Sequence, residues 1–129
     1  MDIRPTAKMR YHLSGLVNMY FKYPYLQRLL TATMRDETEE VRRNMIKSYI
    51  EPIHDAYKRM ISEGVAAGEF QSVDYKFFYF IVIGACDQIF SSREVLNYMH
   101  GVDRIDDDIR RSYTEQMIAV ILGGLMARS

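Results

Sequence analysis

An all-α fold is what the sequence predicts, and three observations predict it. Strand signals are weak throughout, and no Asn-Gly or Asp-Gly hairpin turn occurs. Residues that start and stop helices recur along the chain. Between them, apolar residues return at helical spacing. The 129 residues, 48% of them apolar, can bury one core without disulfides or a structural metal. One domain spanning residues 1–129 is expected, built from about five to six helices.

Taking the elements in order, Pro5 suits a first helical position, and a helix is expected from about Thr6 to Phe21. Met9, Leu13, Leu16, Val17 and Tyr20 form its stripe. Pro24 then opens a second, short helix with the stripe Leu26, Leu29, Leu30 and Met34. Asp36 and Glu39 have capping-box spacing before a long segment running to about Ala67. At about 100° per residue, Met45, Ile46, Pro52, Ile53, Ala56, Tyr57 and Met60 fall within roughly 80° of Tyr49. Lys47, Glu51, His54 and Lys58 fall on the far side, which makes this helix amphipathic. Pro52 removes a donor inside it, so a kink is expected there, and Gly68 closes it as a left-handed cap.

Asp74 starts a helix of a different kind. Phe77, Phe78, Phe80, Ile81, Val82, Ile83, Ala85, Cys86, Ile89 and Phe90 surround it, so every face must be covered. One side meets its own core, and a second copy of the chain is expected on the other, with Gly84 permitting close approach. Ser91 and Glu94 have capping-box spacing for a short helix ending near Gly101. Asp106 is the expected cap of the last helix, about Asp107 to Ala127. That helix carries Ile109, Tyr113, Met117, Val120, Ile121 and Gly124 on one face, and its second half is apolar nearly all round.

Composition narrows the function. Lys plus Arg and Asp plus Glu are both 17, so the formal charge is zero. A nucleic-acid surface normally carries a basic excess, so this chain by itself is a poor DNA or RNA ligand. The single Cys86 excludes an internal disulfide and a cysteine-based zinc site, and a buried apolar role fits it. The start lacks an apolar signal core and no stretch reaches membrane-spanning length; a cytoplasmic protein is expected. His12, His54 and His100 lie apart in no metal-ligand spacing, and there is no phosphate-cradling glycine loop or Gly-x-Ser-x-Gly turn. Neither a catalytic residue, a metal nor a cofactor is expected. Ten Tyr and nine Met fit either ordinary core packing or a pocket for an apolar or aromatic ligand. His54, on the polar face, is expected to be solvated, and Arg42 to fray or snorkel. Asp87, inside GACDQIF, pairs with an arginine, reaches solvent or lines a cavity. Gln88 bonds across a two-fold seam or likewise lines that cavity.

The stretch SEGVAAGEFQSVDYKFF, with Gly64, Gly68, Phe70 and Asp74, resembles the junction before the first dimerisation helix in TetR-type transcriptional regulators. Upstream, YFKYPYLQRLLTATMRDETE is similar to that family's proline-leucine segment, Pro24 and Leu26 matching and Tyr23 standing where histidine is common. The GACDQIF run, the GVD loop and the final helix ending in GGL also fit, so the resemblance covers essentially the whole chain. It implies an all-helical ligand-binding domain that forms a homodimer. The Asp74 helix and the last helix would then build a four-helix bundle with the partner.

The family's N-terminal helix-turn-helix head, which reads DNA, has no counterpart here, and the chain is expected to be a fragment of a regulator. The expected function is effector sensing and homodimerisation, DNA being reached only through the head. The alternative is a helical dimerisation or adaptor module without a pocket. Candidate ligand-lining residues are Tyr20, Met34, Met45, Tyr49, Ile53, Tyr57, Phe80 and Asp87. Candidate dimer-interface residues are Phe77, Ile81, Gly84, Gln88, Tyr113, Met117, Val120, Ile121 and Gly124.

Overall fold

The computed structural model describes residues 4–128. Its elements are α1 (Pro5–Lys22), α2 (Leu26–Asp36), α3 (Glu39–Met45), a π-helical turn (Ile46–Ile50), α4 (Glu51–Ala66), α5 (Tyr75–Ser91), α6 (Arg93–His100) and α7 (Asp107–Leu125). The architecture is all-α, as expected. Among the described residues the β pairing is an isolated bridge between Phe70 and Met126.

The core forms where α1 packs against α4, α5 and α7. Met9, Leu13, Val17 and Tyr20, spaced three and four residues apart, face inward from α1 and are buried. They meet Tyr57 and Ile61 of α4, Phe78, Tyr79, Val82, Cys86 and Phe90 of α5, and Met117, Ile118, Ile121, Leu122 and Leu125 of α7. Each large apolar side chain removed from water here contributes about 1.5–3 kcal/mol before chain entropy is counted. No residue of α2 or α3 is buried, so the expected stripe on α2 is not a core stripe, and Leu29 is exposed. These two helices pack on one another and flank the core.

Local chemistry explains most boundaries. Asp74 Oδ1 accepts from the backbone N–H of Lys76, and Asp106 Oδ1 from that of Ile109, each at 2.9 Å, so both aspartates cap the helices expected of them. The other two caps differ from expectation. Thr38, not Asp36, receives the N–H of Val41 at 3.3 Å, since Asp36 is still inside α2. Ser91 is the last residue of α5 and bonds Asp87, so α6 begins after Ser92 without a side-chain cap. Pro24 lies in the turn before α2 rather than in its first position. The last helix ends at Leu125, not Ala127, because the N–H of Ala127 donates to Glu69 O at 2.8 Å instead of continuing the helix.

Pro52 does not produce a simple kink. The five residues Ile46–Ile50 form a π turn, and the N–H of Glu51 reaches back to Ile46 O. Proline's ring would meet the carbonyl four residues earlier; widening the preceding turn relieves that clash and puts Pro52 in the first turn of α4. Gly68 adopts φ 75°, as its cap role requires, and the N–H groups of Glu69 and Phe70 both return to Gly64 O. Phe70 then covers the flat side of Gly64, where an added Cβ would overlap its ring.

Candidate functional site

Two surfaces are built on α5, one turned toward α1 and α4 and one turned away from the core. The first is aromatic with a few polar atoms. Tyr57 is fully buried, its ring edge-on to His12 and Phe78 at 5.0 and 5.5 Å and tilted against Tyr79 at 6.3 Å. Its hydroxyl lies 2.7 Å from His12 Nε2. Burial holds the His12 imidazole below its usual range and raises the Tyr57 phenol well above its own. Tyr20 is also buried, and its hydroxyl donates to Gln27 Oε1 at 3.0 Å. Desolvation raises its phenol, with smaller contributions from Cys86, Tyr79 and Asp87, all within its electrostatic reach.

Cys86 behaves as expected of a core residue: burial first, then Asp87, pushes its thiol up to about 12. Asp87 itself is half-buried and accepts a hydrogen bond from Ser91 Oγ at 2.9 Å in an exposed position; it reaches solvent and has no arginine partner among the described residues. His54 departs from expectation. Its ring lies tilted against Tyr79 at 4.2 Å and edge-on to Phe80 at 6.4 Å, and it is half-buried rather than solvated. The π turn supplies the reason, because one extra residue in a turn rotates every later side chain by about 100°. Arg42, expected to fray or snorkel, donates from Nη1 to Glu37 O at 2.7 Å.

Of the eight candidate ligand residues, Tyr20, Tyr57 and Asp87 therefore gather around the α1–α4–α5 contact. Phe80 borders that region through its ring contacts with His54 and Tyr79 and is exposed, as are Ile53 on α4 and Tyr49 on the π turn. Met34 and Met45 are half-buried on α2 and α3. Five surface clefts among the described residues have other linings, one of about 980 Å³ lying beside the start of α1 between Arg10, Tyr11 and Glu69. His12, Gln27, His54 and Tyr79 belong to the aromatic face although periodicity does not single them out. A polar residue adjoining an apolar helical stripe is the available signal for His12.

The outward surface lies between α5 and α7. A cleft of about 450 Å³ is lined by Val73, Phe77, Phe78, Ile81, Val120, Ile121, Gly124 and neighbours. Phe77, Ile81 and Val120 are 66%, 59% and 72% exposed, although all three are large and apolar. Gly84, Gly123 and Gly124 face open space. Gln88 is exposed on the same side of α5, its amide donating to Ser92 Oγ at 2.6 Å. Two candidates lie deeper: Met117 is in the core, and the Tyr113 hydroxyl donates to Ala85 O, joining α7 to α5; Ile121 is buried as well but still lines the cleft.

Among the described residues, no three His, Cys, Asp or Glu side chains gather as metal ligands, and no helix is long and apolar enough to cross a membrane. The sequence model of a family described as tetracyclin repressor-like, C-terminal domain, matches residues 2–129. No curated protein matches the chain.

Proposed function

The chain belongs to the tetracyclin repressor-like C-terminal domain family, and from that premise we propose that it senses a small effector and pairs with a second copy of itself. It works as a single regulatory domain in the cytoplasm, without catalysing a reaction, and reaches DNA only through a separate head. The observation that carries this reading is the uncovered apolar face on α5 and α7. Phe77, Ile81 and Val120 flank an open groove of about 450 Å³, and a lone subunit gains nothing by presenting them to water. A second copy laid across the groove would cover them in an isologous contact.

The effector face adjoins that contact through one helix. Phe80 approaches His54 of α4 and Asp87 is half-buried, while Phe77, Ile81, Gly84 and Gln88 are exposed on α5. A ligand held by the first set would favour one setting of α5, and with it one arrangement of the two subunits, by its differential affinity for the two states. Sedimentation at low micromolar concentration tests the pairing: a species of twice 15.2 kDa is expected, and a non-aggregating monomer would overturn it.

A pure dimerisation module is the second reading, favoured because none of the eight candidate ligand residues lines any of the five clefts. Melting temperature in the presence of a broad apolar and aromatic library separates the two. A concentration-dependent rise supports sensing, and uniform silence supports the module.

A further inference from the structure

We propose that the cleft between the end of α1, the last turn of α5 and the loop before α7 binds a small monocarboxylate with an apolar or aromatic body, its charge held by Arg93 and Arg104. The site is separate from the aromatic effector face and does not rest on the effector-sensing reading. The cleft measures about 280 Å³, which suits a small occupant. Its lining is largely apolar: Phe21 and Phe90 meet edge-on at 4.7 Å, and Leu96 and Ile105 also line it. Phe90 is buried and the other three are half-buried, so apolar surface is left for an occupant to cover. The loop is tied to α6. Gly101 takes φ 66° at the helix end, the Val102 N–H returns to Leu96 O at 3.3 Å, and Asn97 Nδ2 donates to Asp103 Oδ1 at 2.9 Å. That wall is in place before anything binds, which lowers the ordering cost of binding.

Arg93 and Arg104 line the same cleft. The Arg93 guanidinium also lies 5.9 Å from the centre of the Tyr25 ring, which receives Arg28 at 5.5 Å as well. Ion pairs occupy Lys8, Arg43, Lys76, Arg110 and Arg111, but among the described residues no carboxylate pairs with Arg28, Arg93 or Arg104. Two guanidinium groups thus converge on one ring, and two line one cleft, without an acid to offset them. The acid on the lining, Asp103, is engaged by Asn97. These charges select the occupant. A cation meets two arginines, and a neutral apolar molecule leaves both unpaired. A bare inorganic anion gains only an exposed charge pair, which is worth little in water. A carboxylate with an apolar body gains twice, by covering the Phe21 and Phe90 surface and by accepting paired hydrogen bonds from a guanidinium fork.

Three probes with one body separate these cases on the full chain: phenylbutyrate, phenylbutylamine and phenylbutanol, titrated while backbone amide shifts are followed by NMR. Phenylbutyrate is expected to move the amides of Leu96 and of residues 102–105 and to saturate in the millimolar range. The alcohol should bind several-fold more weakly, and the amine more weakly still. Arg93→Gln and Arg104→Gln should each weaken the acid roughly three- to tenfold and leave the alcohol unchanged, while Arg93→Lys keeps part of the effect. Both arginines are exposed, so the variants are expected to fold, and circular dichroism verifies it; if one does not fold, the other carries the comparison. Equal binding of the three probes, shifts centred on other residues, unchanged acid affinity in the folded variants, or no saturation at millimolar concentration overturns the proposal. A melting-temperature response to the apolar library that survives in both arginine variants belongs to the effector face, so the two readings fail separately.

Discussion

Gly64 shows how a single atom can outweigh a helix preference. It lies inside α4, where alanine is ordinarily better by about 1 kcal/mol. Here the added Cβ would run into the Phe70 ring, which is buried and pinned between α4 and the end of α7. Gly64→Ala is therefore expected to destabilise by about 1–3 kcal/mol, measured by urea unfolding, because overpacking wins over propensity. The His12–Tyr57 pair carries a pH signature. The imidazole titrates near 6.5 in the unfolded chain and lower in the fold, so below 6.5 the unfolded state binds the extra proton. Stability is full above 6.5 and falls as the pH drops toward the folded-state value. Melting curves between about pH 7.5 and 5 should show this slope, and His12→Gln should flatten it.

At the scale of the element, helix ends are legible wherever one side chain decides them. Asp74 and Asp106 both stand out from local pattern, and each accepts a backbone N–H at 2.9 Å. Asp74→Ala and Asp106→Ala should each cost about 1 kcal/mol of stability, nearly additively, by chemical denaturation. Thr38→Ala should cost far less in the same measurement, since α3 buries no residue and its unfolding exposes little. The two misplaced caps have a common origin: Asp36 and Ser91 are used by the helix that ends there, and capping-box spacing does not reveal where the previous helix stops. The π turn is illegible for another reason. Its cause, Pro52, is visible in sequence, but a kink, a break and a widened turn all relieve the same clash. The widened turn brings His54 toward Tyr79, which uninterrupted α-helical phase could not show.

For the whole molecule, the decisive test lies on the outward face of α5. Phe77 is 66% exposed in the subunit, so Phe77→Arg leaves the core untouched. It is expected to convert a dimer into a monomer in sedimentation, with the far-ultraviolet spectrum unchanged; a dimer that persists would relocate the contact. On this helix pair, periodicity combines two populations of residues. Phe77, Ile81 and Val120 do face outward and Ile121, though buried, still lines the groove between them, while Met117, assigned to the same face of the pair, is buried inside the subunit. The apolar excess is a property of composition and spacing. Its division between core and surface depends on how far α5 and α7 are splayed around α1.

Sequence alone determined the helical class, the extent of α1, α5 and α7 to within a few residues, and the glycine that ends α4, because each depends on neighbours within a turn or two of the chain. It also determined that α5 is too apolar for ordinary solvent contact. Only the tertiary structure decided that α2 and α3 flank the core without joining it, that no cationic side chain among the described residues pairs with Asp87, and that His12 meets Tyr57. The last of these joins residues 45 positions apart. All three depend on how separate helices are set against one another. Periodicity carries phase along one helix; it carries no information about which other helix that phase will meet.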